Sequence, residues 1–199
     1  MKKIILASSS PRRIELLNNF DIDMEIIPSN IDEYIDENLS PIDNVIELSY
    51  KKALNVLTKI SYKNPIIIAA DTIVYINNKI LGKPKNEDEA FLMLKELNGK
   101  YHKVYSGICV IDVEKNIFLK DYDETEVYIT SMSDDEIRSY IATGEPMDKA
   151  GAYAIQGYGS LIVEKINGCY FNVVGLPMFK LNVMLKKIGF NLIEQKKGE

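Results

Sequence analysis

The chain has very few of the residues that most side-chain catalysis relies on. It holds one histidine, His102, and two cysteines, Cys109 and Cys169. The cysteines lie far apart and form no CxxC pair, which argues against a Cys-rich zinc site. Their apolar or turn-like surroundings read as reduced thiols, and a disulfide framework would be unusual in a chain of 199 residues. A Ser-His-Asp or Cys-His mechanism would have to run through His102, and no nucleophile motif accompanies it. A surplus of positive charge is also missing: 24 Lys+Arg stand against 29 Asp+Glu, a net charge of -5. Affinity for long nucleic acids needs clustered Lys and Arg, so that class of partner is disfavoured. Long apolar runs are absent as well. No stretch approaches the roughly 20 residues of a membrane span. The run Ile4 to Ala7 behind Lys2 and Lys3 falls short of the roughly 7–15 apolar residues of a signal core. The expected location is the cytoplasm.

What is present suits an ordinary globular protein. Hydrophobic residues make up 46% and charged residues 27%. A chain this long hides roughly 70% of its unfolded surface on folding. Strand-like and helix-like segments are mixed along it, with no repeat, low-complexity tract or linker, which predicts an α/β or α+β domain.

Lys3 to Ala7 reads as a short buried strand stopped by Ser8-Ser9-Ser10. Ser10 suits a helix N-cap and Pro11 the first helical position, opening a helix to about Phe20. Ile22 to Ile27 predicts a second strand, and the acidic stretch 30–40 an irregular segment. A long amphipathic helix follows from about Pro41 to Lys59. Pro65 to Ala70 is the most strand-like run and is expected to end at Asp71-Thr72. Ile73 to Ile76 and Lys79 to Leu81 flank Asn77-Asn78 as a tight hairpin. Asn86 caps a helix to about Leu97, closed by Asn98-Gly99. Tyr101 to Val113 and Ile117 to Ile129 read as two long antiparallel strands, and Ser133 caps a helix from Asp134 to Ala142. Leu161 to Ile166 and Tyr170 to Val174 are expected to form a hairpin around Asn167-Gly168. Gly175-Leu176-Pro177 opens a last helix to about Lys187, and a charged tail from Gln195 to Glu199 is expected to fray.

Five places carry potential chemistry. In Ala7 to Arg13 a strand enters a Ser-rich turn that opens a helix. Backbone N–H groups, hydroxyls and two arginines there suit a phosphate, although a capped helix with two solvated arginines has the same sequence. Asp71, at the expected carboxyl end of a buried strand, could hold a divalent cation or take a proton from water, or simply cap a turn. Asp32 and Glu33 offer carboxylate oxygens for a hard cation, or a solvated acidic loop. Lys52, at the edge of an apolar helix face, and Lys83, in Gly82-Lys83-Pro84, are candidate phosphate contacts or ordinary surface lysines. The stretch Gly144 to Gly157 lets backbone approach a ligand closely, and its Gln156 offers both a donor and an acceptor suited to a base edge.

Together these segments resemble the Maf family of nucleotide pyrophosphatases, once described as septum-formation inhibitors. The resemblance rests on seven motifs in order: LASSSPRR at Leu6 to Arg13, IDE at Ile31 to Glu33, KKA around Lys52, AADT at Ala69 to Thr72, GKP at Gly82 to Pro84, GEPMDKAGAYAIQG at Gly144 to Gly157, and NVVGLP at Asn172 to Pro177. It implies an α/β, inosine-triphosphatase-like (ITPase-like) fold: a long mixed β-sheet with flanking helices, in two lobes around a central cleft, over residues 1–199 as a single Maf-like domain. It implies hydrolysis of nucleoside triphosphates to the monophosphate and pyrophosphate with a divalent metal cation, Mg, Mn or Co. Asp71 would activate the water and, with Glu33, bind the metal. Ser8, Ser10, Arg13, Lys52 and Lys83 would hold phosphates. Arg12, Thr72 and Gln156 would set base specificity.

Asp71-Thr72 and the DKAGAY-then-IQG run resemble the dTTP/UTP pyrophosphatases of the family. The 7-methyl-GTP enzymes carry Ser-Asp-Gln and Cys-Ala-Gly-Ser motifs that this chain lacks; its one departure is Ala154, where Gly is usual. A house-cleaning role against noncanonical pyrimidine nucleotides is implied. The expected partner is a nucleoside triphosphate, with no nucleic acid and no membrane; homodimers are common in the family, and no segment here marks an interface. Two rivals stand beside this reading: a pyrophosphatase for modified purine or other pyrimidine nucleotides, and a non-catalytic regulator of septum formation. The charge argument then narrows. Arg12, Arg13, Lys52, Lys83 and Lys149 suffice for one triphosphate, if not for a long polyanion.

Overall fold

A computed structural model of the protein describes residues 2–195, so the expected frayed tail lies, beyond Gln195, outside the described residues. The strands are β1 (Ile4–Leu6), β2 (Met24–Ile26), β3 (Ile66–Ile76), β4 (Lys79–Leu81), β5 (Tyr101–Asp112), β6 (Ile117–Ile129) and β7 (Val163–Asn167). The α-helices are α1 (Pro11–Asn18), α2 (Pro41–Leu57), α3 (Glu87–Leu97), α4 (Asp134–Ala142), α5 (Tyr170–Val174) and α6 (Met178–Lys187). The strands form one seven-stranded mixed sheet in the order β2-β1-β3-β5-β6-β7, with β4 paired to β3. β1 runs parallel to both β2 and β3, whereas β3–β4 and β6–β7 are antiparallel. A mixed sheet with helices is the expected α/β architecture.

The chain divides into two compact units. The first runs to Asp71, takes in Ser106–Asp123 and resumes at Gly175; the second comprises Thr72–Tyr105 and Glu124–Val174.

In the first unit, period-two alternation decides what faces α2. Ile5 of β1 with Ala7 just after it, Ile67 and Ala69 of β3, and Cys109 and Ile111 of β5 share one face of the sheet, where they pack with Ala53 and Val56. Each large aliphatic side chain so buried contributes roughly 1.5–3 kcal/mol. The helix comes very close: a Cβ at Gly107, two residues before Cys109, would lie 2.2 Å from the Val45 carbonyl oxygen. Ser40 caps α2 through the Asp43 amide.

In the second unit, α3 and α4 cover Val74, Ile76, Val104 and Val127, burying Leu94, Leu97, Ile137 and Ile141. Asn86 caps α3, and Ser133 with Glu136 forms a capping box on α4. Asn77 and Asn78 both have positive φ, 49° and 60°, the backbone a two-residue hairpin requires.

Two expectations need correction. Asp71 does not end its strand: β3 continues to Ile76, so Asp71 lies mid-strand. The reason is tertiary, since β4 extends the ladder with Val74, Tyr75 and Ile76, and a side-chain partner satisfies the buried carboxylate. Tyr170–Val174 is a short helix and not a hairpin strand. Its Asn172 side chain donates to the Val104 carbonyl and to Thr125 Oγ1, and the Cys169 amide also donates to Thr125 Oγ1. These bonds hold the segment in a turn that its apolar, β-branched composition hides.

Candidate active site

Asp71 has the same parity as Ile67 and Ala69, so its side chain leaves β3 on the face that α2 covers. There it meets Lys52, whose neighbour Ala53 packs in the core. Lys52 is only 5% exposed, and its Nζ donates to Asp71 Oδ1 at 2.5 Å. The same ammonium lies 2.7 Å from Glu33 Oε1. A buried charge is tolerated here because it is paired.

Glu33 is carried by the irregular acidic segment, which α2 secures on both sides of it. The Asn30 amide donates to Asn55 Oδ1 at 3.1 Å, and the Asp36 amide to Asn44 Oδ1 at 2.9 Å. Asn44 Nδ2 donates back to the carbonyls of Asp36, Leu39 and Ser40. The Glu33 carboxylate itself is exposed.

The turn after β1 supplies the next group. Ser8 is buried, and its Oγ accepts from the Ser10 amide at 3.2 Å and from Arg13 Nη1 at 3.3 Å. Arg13 Nε donates to the Gly175 carbonyl at 2.7 Å. Burial lowers the Arg13 pKa, and the negative charges of Asp71 and Glu33 oppose that shift while Arg12 adds to it. Ser10 is the N-cap of α1, but its side chain makes no cap bond, unlike Ser40, Asn86 and Ser133. Arg12 and Arg13 occupy the first turn, where a helix dipole favours negative charge; α3 and α4 fill that turn with Asp and Glu. Two arginines in that turn oppose the dipole's preference, at some cost in intrinsic helix stability.

The structure thus brings Lys52, Asp71 and Glu33 together, and Ser8 with Ser10 and Arg13. Three further candidates belong to the second unit. Thr72 follows Asp71 on β3 and is half-buried, Lys83 is exposed in the turn between β4 and α3, and Gln156 is half-buried just before a 3₁₀ turn at Gly157–Leu161. Lys149 pairs with Asp148 and donates to the Glu145 carbonyl. His102 is only 3% exposed, with Nε2 2.6 Å from the Tyr153 hydroxyl, and burial lowers its pKa to about 4. Burial pushes the Cys109 thiol up to about 12. Neither has the profile of an activated nucleophile or base at neutral pH.

Sequence reading missed the Gly175 carbonyl that anchors Arg13, although it lies within the NVVGLP motif. It also missed Asn44 and Asn55, which look like ordinary helix amides, and Glu145 with Tyr140, which shape the loop around Gln156. Only the contacts reveal these roles.

Among the described residues, no group of three or more His, Cys, Asp or Glu is placed to hold a metal ion. Two carboxylates do converge on one cation, the Lys52 ammonium, and two carboxylates plus substrate oxygens are what a magnesium-like ion usually takes. The carboxylates of Glu33 and Asp71 are therefore a donor set that a divalent cation would accept. No helix among the described residues is long and apolar enough to cross a membrane.

The chain is similar over its full length to proteins named dTTP/UTP pyrophosphatase. It is 58% identical over 201 residues to one from Caldicellulosiruptor bescii, with all of both chains covered. It is 54% identical to one from Thermoanaerobacter sp. (strain X514), over 93% of this chain and 96% of the relative. It is 51% identical to one from Clostridium tetani, over 94% and 98%. The profile of the family described as "Maf-like protein" matches residues 3–188, the stretch that holds the Ser8–Arg13 turn, the Lys52–Asp71–Glu33 cluster and the Gln156 loop, and so the chain belongs to the Maf family.

Proposed function

We propose that this protein hydrolyses dTTP and UTP to the monophosphate and pyrophosphate. The observation that carries this reading is the 58% identity, end to end, with a protein named for that activity. The site's chemistry is consistent with it. Water attacks the α-phosphorus, the bond from that phosphorus to the bridging oxygen breaks, and pyrophosphate leaves with the electron pair. Asp71 takes the proton from the attacking water. A carboxylate suits this task in a chain whose His102 and Cys109 are buried and unreactive.

Ser8, Ser10, Arg13, Lys52 and Lys83 bind the phosphates in this reading. Arg13 is oriented for that by its bonds to Ser8 and Gly175. Lys52 is shared between the carboxylates and the incoming anion. Glu33 and Asp71 would hold the divalent cation, Mg, Mn or Co; when bound, such an ion polarises phosphate oxygens and offsets charge developing on the leaving group. Arg12, Thr72 and Gln156 select the base, with Gln156 and Thr72 offering amide and hydroxyl groups to a pyrimidine edge. We place the protein in the cytoplasm, where its thiols Cys109 and Cys169 stay free as they are here.

The test is pyrophosphate release across dTTP, UTP, CTP, GTP and methylated nucleotides with magnesium, manganese and cobalt. Preferential, metal-dependent cleavage of dTTP and UTP is expected. Turnover of a methylated GTP without cleavage of dTTP or UTP would overturn the substrate assignment.

A further inference from the structure

The loop that carries Gln156 takes its shape from one carboxylate. Glu145 opens a 3₁₀ turn at Glu145–Asp148 and points its side chain back at residues 157–159. Its Oε1 accepts from the Tyr140 hydroxyl and from the Gly159 amide, both at 2.8 Å, and its Oε2 accepts from the Tyr158 amide at 3.0 Å. The buried Tyr140 hydroxyl in turn accepts from the Ala154 amide at 3.1 Å. One Tyr140–Glu145 pair thereby grips the backbone just before Gln156 and just after it.

The closure leaves no slack. Gly157 has a φ of +61°, and a Cβ there would lie 2.1 Å from Glu145 Oε2. A Cβ at Gly159 would lie 1.9 Å from the Ala154 carbonyl oxygen. Three donors on one side chain call for a group that only accepts, and a carboxylate does so where an amide would turn a donor on one of them.

We infer that Glu145 and Tyr140 are positioning residues that hold Gln156 for base selection. The inference rests on the reading of Gln156 as a residue that contacts the base. A side chain that discriminates by hydrogen bonds must be held to a fraction of an ångström, and a two-sided grip on its own loop supplies that.

The experiment compares Glu145→Gln, Tyr140→Phe and Gln156→Ala by kcat/KM for dTTP and for CTP, with folding checked by thermal melting. Glu145→Gln should lower the dTTP-to-CTP ratio at least about tenfold, with Tyr140→Phe moving it the same way. Glu145→Gln added to Gln156→Ala should cost little further selectivity, because both act through one side chain. A merely structural role would lower both substrates alike or only the melting temperature. If Gln156→Ala changes the ratio while Glu145→Gln and Tyr140→Phe leave it within about twofold, the inference is overturned and the role of Gln156 stands. If Gln156→Ala leaves the ratio unchanged, the reading of Gln156 fails and the inference with it. Should Glu145→Gln not fold, Tyr140→Phe, which removes a single hydroxyl, decides the matter alone.

Discussion

Lys52 Nζ lies 2.5 Å from Asp71 Oδ1, and both residues are buried at 5% exposure. A helix lysine and a mid-strand aspartate thus form an ion pair inside the first unit, with Glu33 as the outer partner of the same ammonium. Two consequences concern the pair itself.

Lys52→Met should destabilise the fold. The variant leaves Asp71 buried without its hydrogen-bonded cation. Arg13 still exerts its charge on Asp71, so the loss should sit near the low end for a broken buried pair, about 3 kcal/mol. Urea denaturation reads this directly; a loss below about 1 kcal/mol would mean that the pair behaves like a surface salt bridge.

Asp71→Asn should keep the fold and lose the reaction. The amide retains the shape, and Lys52 retains Glu33. Pyrophosphate release should fall at least about a hundredfold, as expected on removing a general base. Undiminished turnover in a folded variant would take Asp71 out of the mechanism, and a septum phenotype that survives the substitution would favour a non-catalytic role.

His102 should make stability depend on pH. Its folded-state pKa is lowered from 6.5 to about 4 by burial, so the unfolded chain binds this proton first. The stabilisation is complete above the unfolded value and is lost as pH falls from 6.5 towards 4, below which both states carry the proton. The loss amounts to at most about 3 kcal/mol. Denaturation curves at neutral and mildly acidic pH should show a drop in the native protein that is smaller in His102→Gln, since carboxylates titrate alike in both.

Gly107→Ala should be poorly tolerated despite the small change. The added Cβ would meet the Val45 carbonyl oxygen at 2.2 Å and its carbon at 2.4 Å, and neither backbone atom can rotate away. Overpacking of this kind costs about 1–3 kcal/mol or more, so the urea midpoint should fall. An unchanged midpoint would mean that α2 does not rest on β5 as described.

Local features were legible because their causes lie within a few residues. The Asn86 and Ser133 caps, the Asn77-Asn78 hairpin and the apolar spacing of α2 each follow from short-range geometry. The motifs from Leu6 to Pro177 likewise pointed to the family. Asp71 misled as a strand end because Asp is a poor strand former, and Tyr170–Val174 misled because its composition suits a strand.

By itself the sequence determined the α/β mixture, the caps and turns, and the scarcity of His and Cys. Only the tertiary structure decided that Lys52 spends its charge on Asp71 and Glu33, that Arg13 is tied to Ser8 and Gly175, and that Glu145 turns inward beneath the Gln156 loop. Propensity acts over a turn or two of chain. Pairing a buried charge depends on which face of a strand a distant helix covers, and packing decides that.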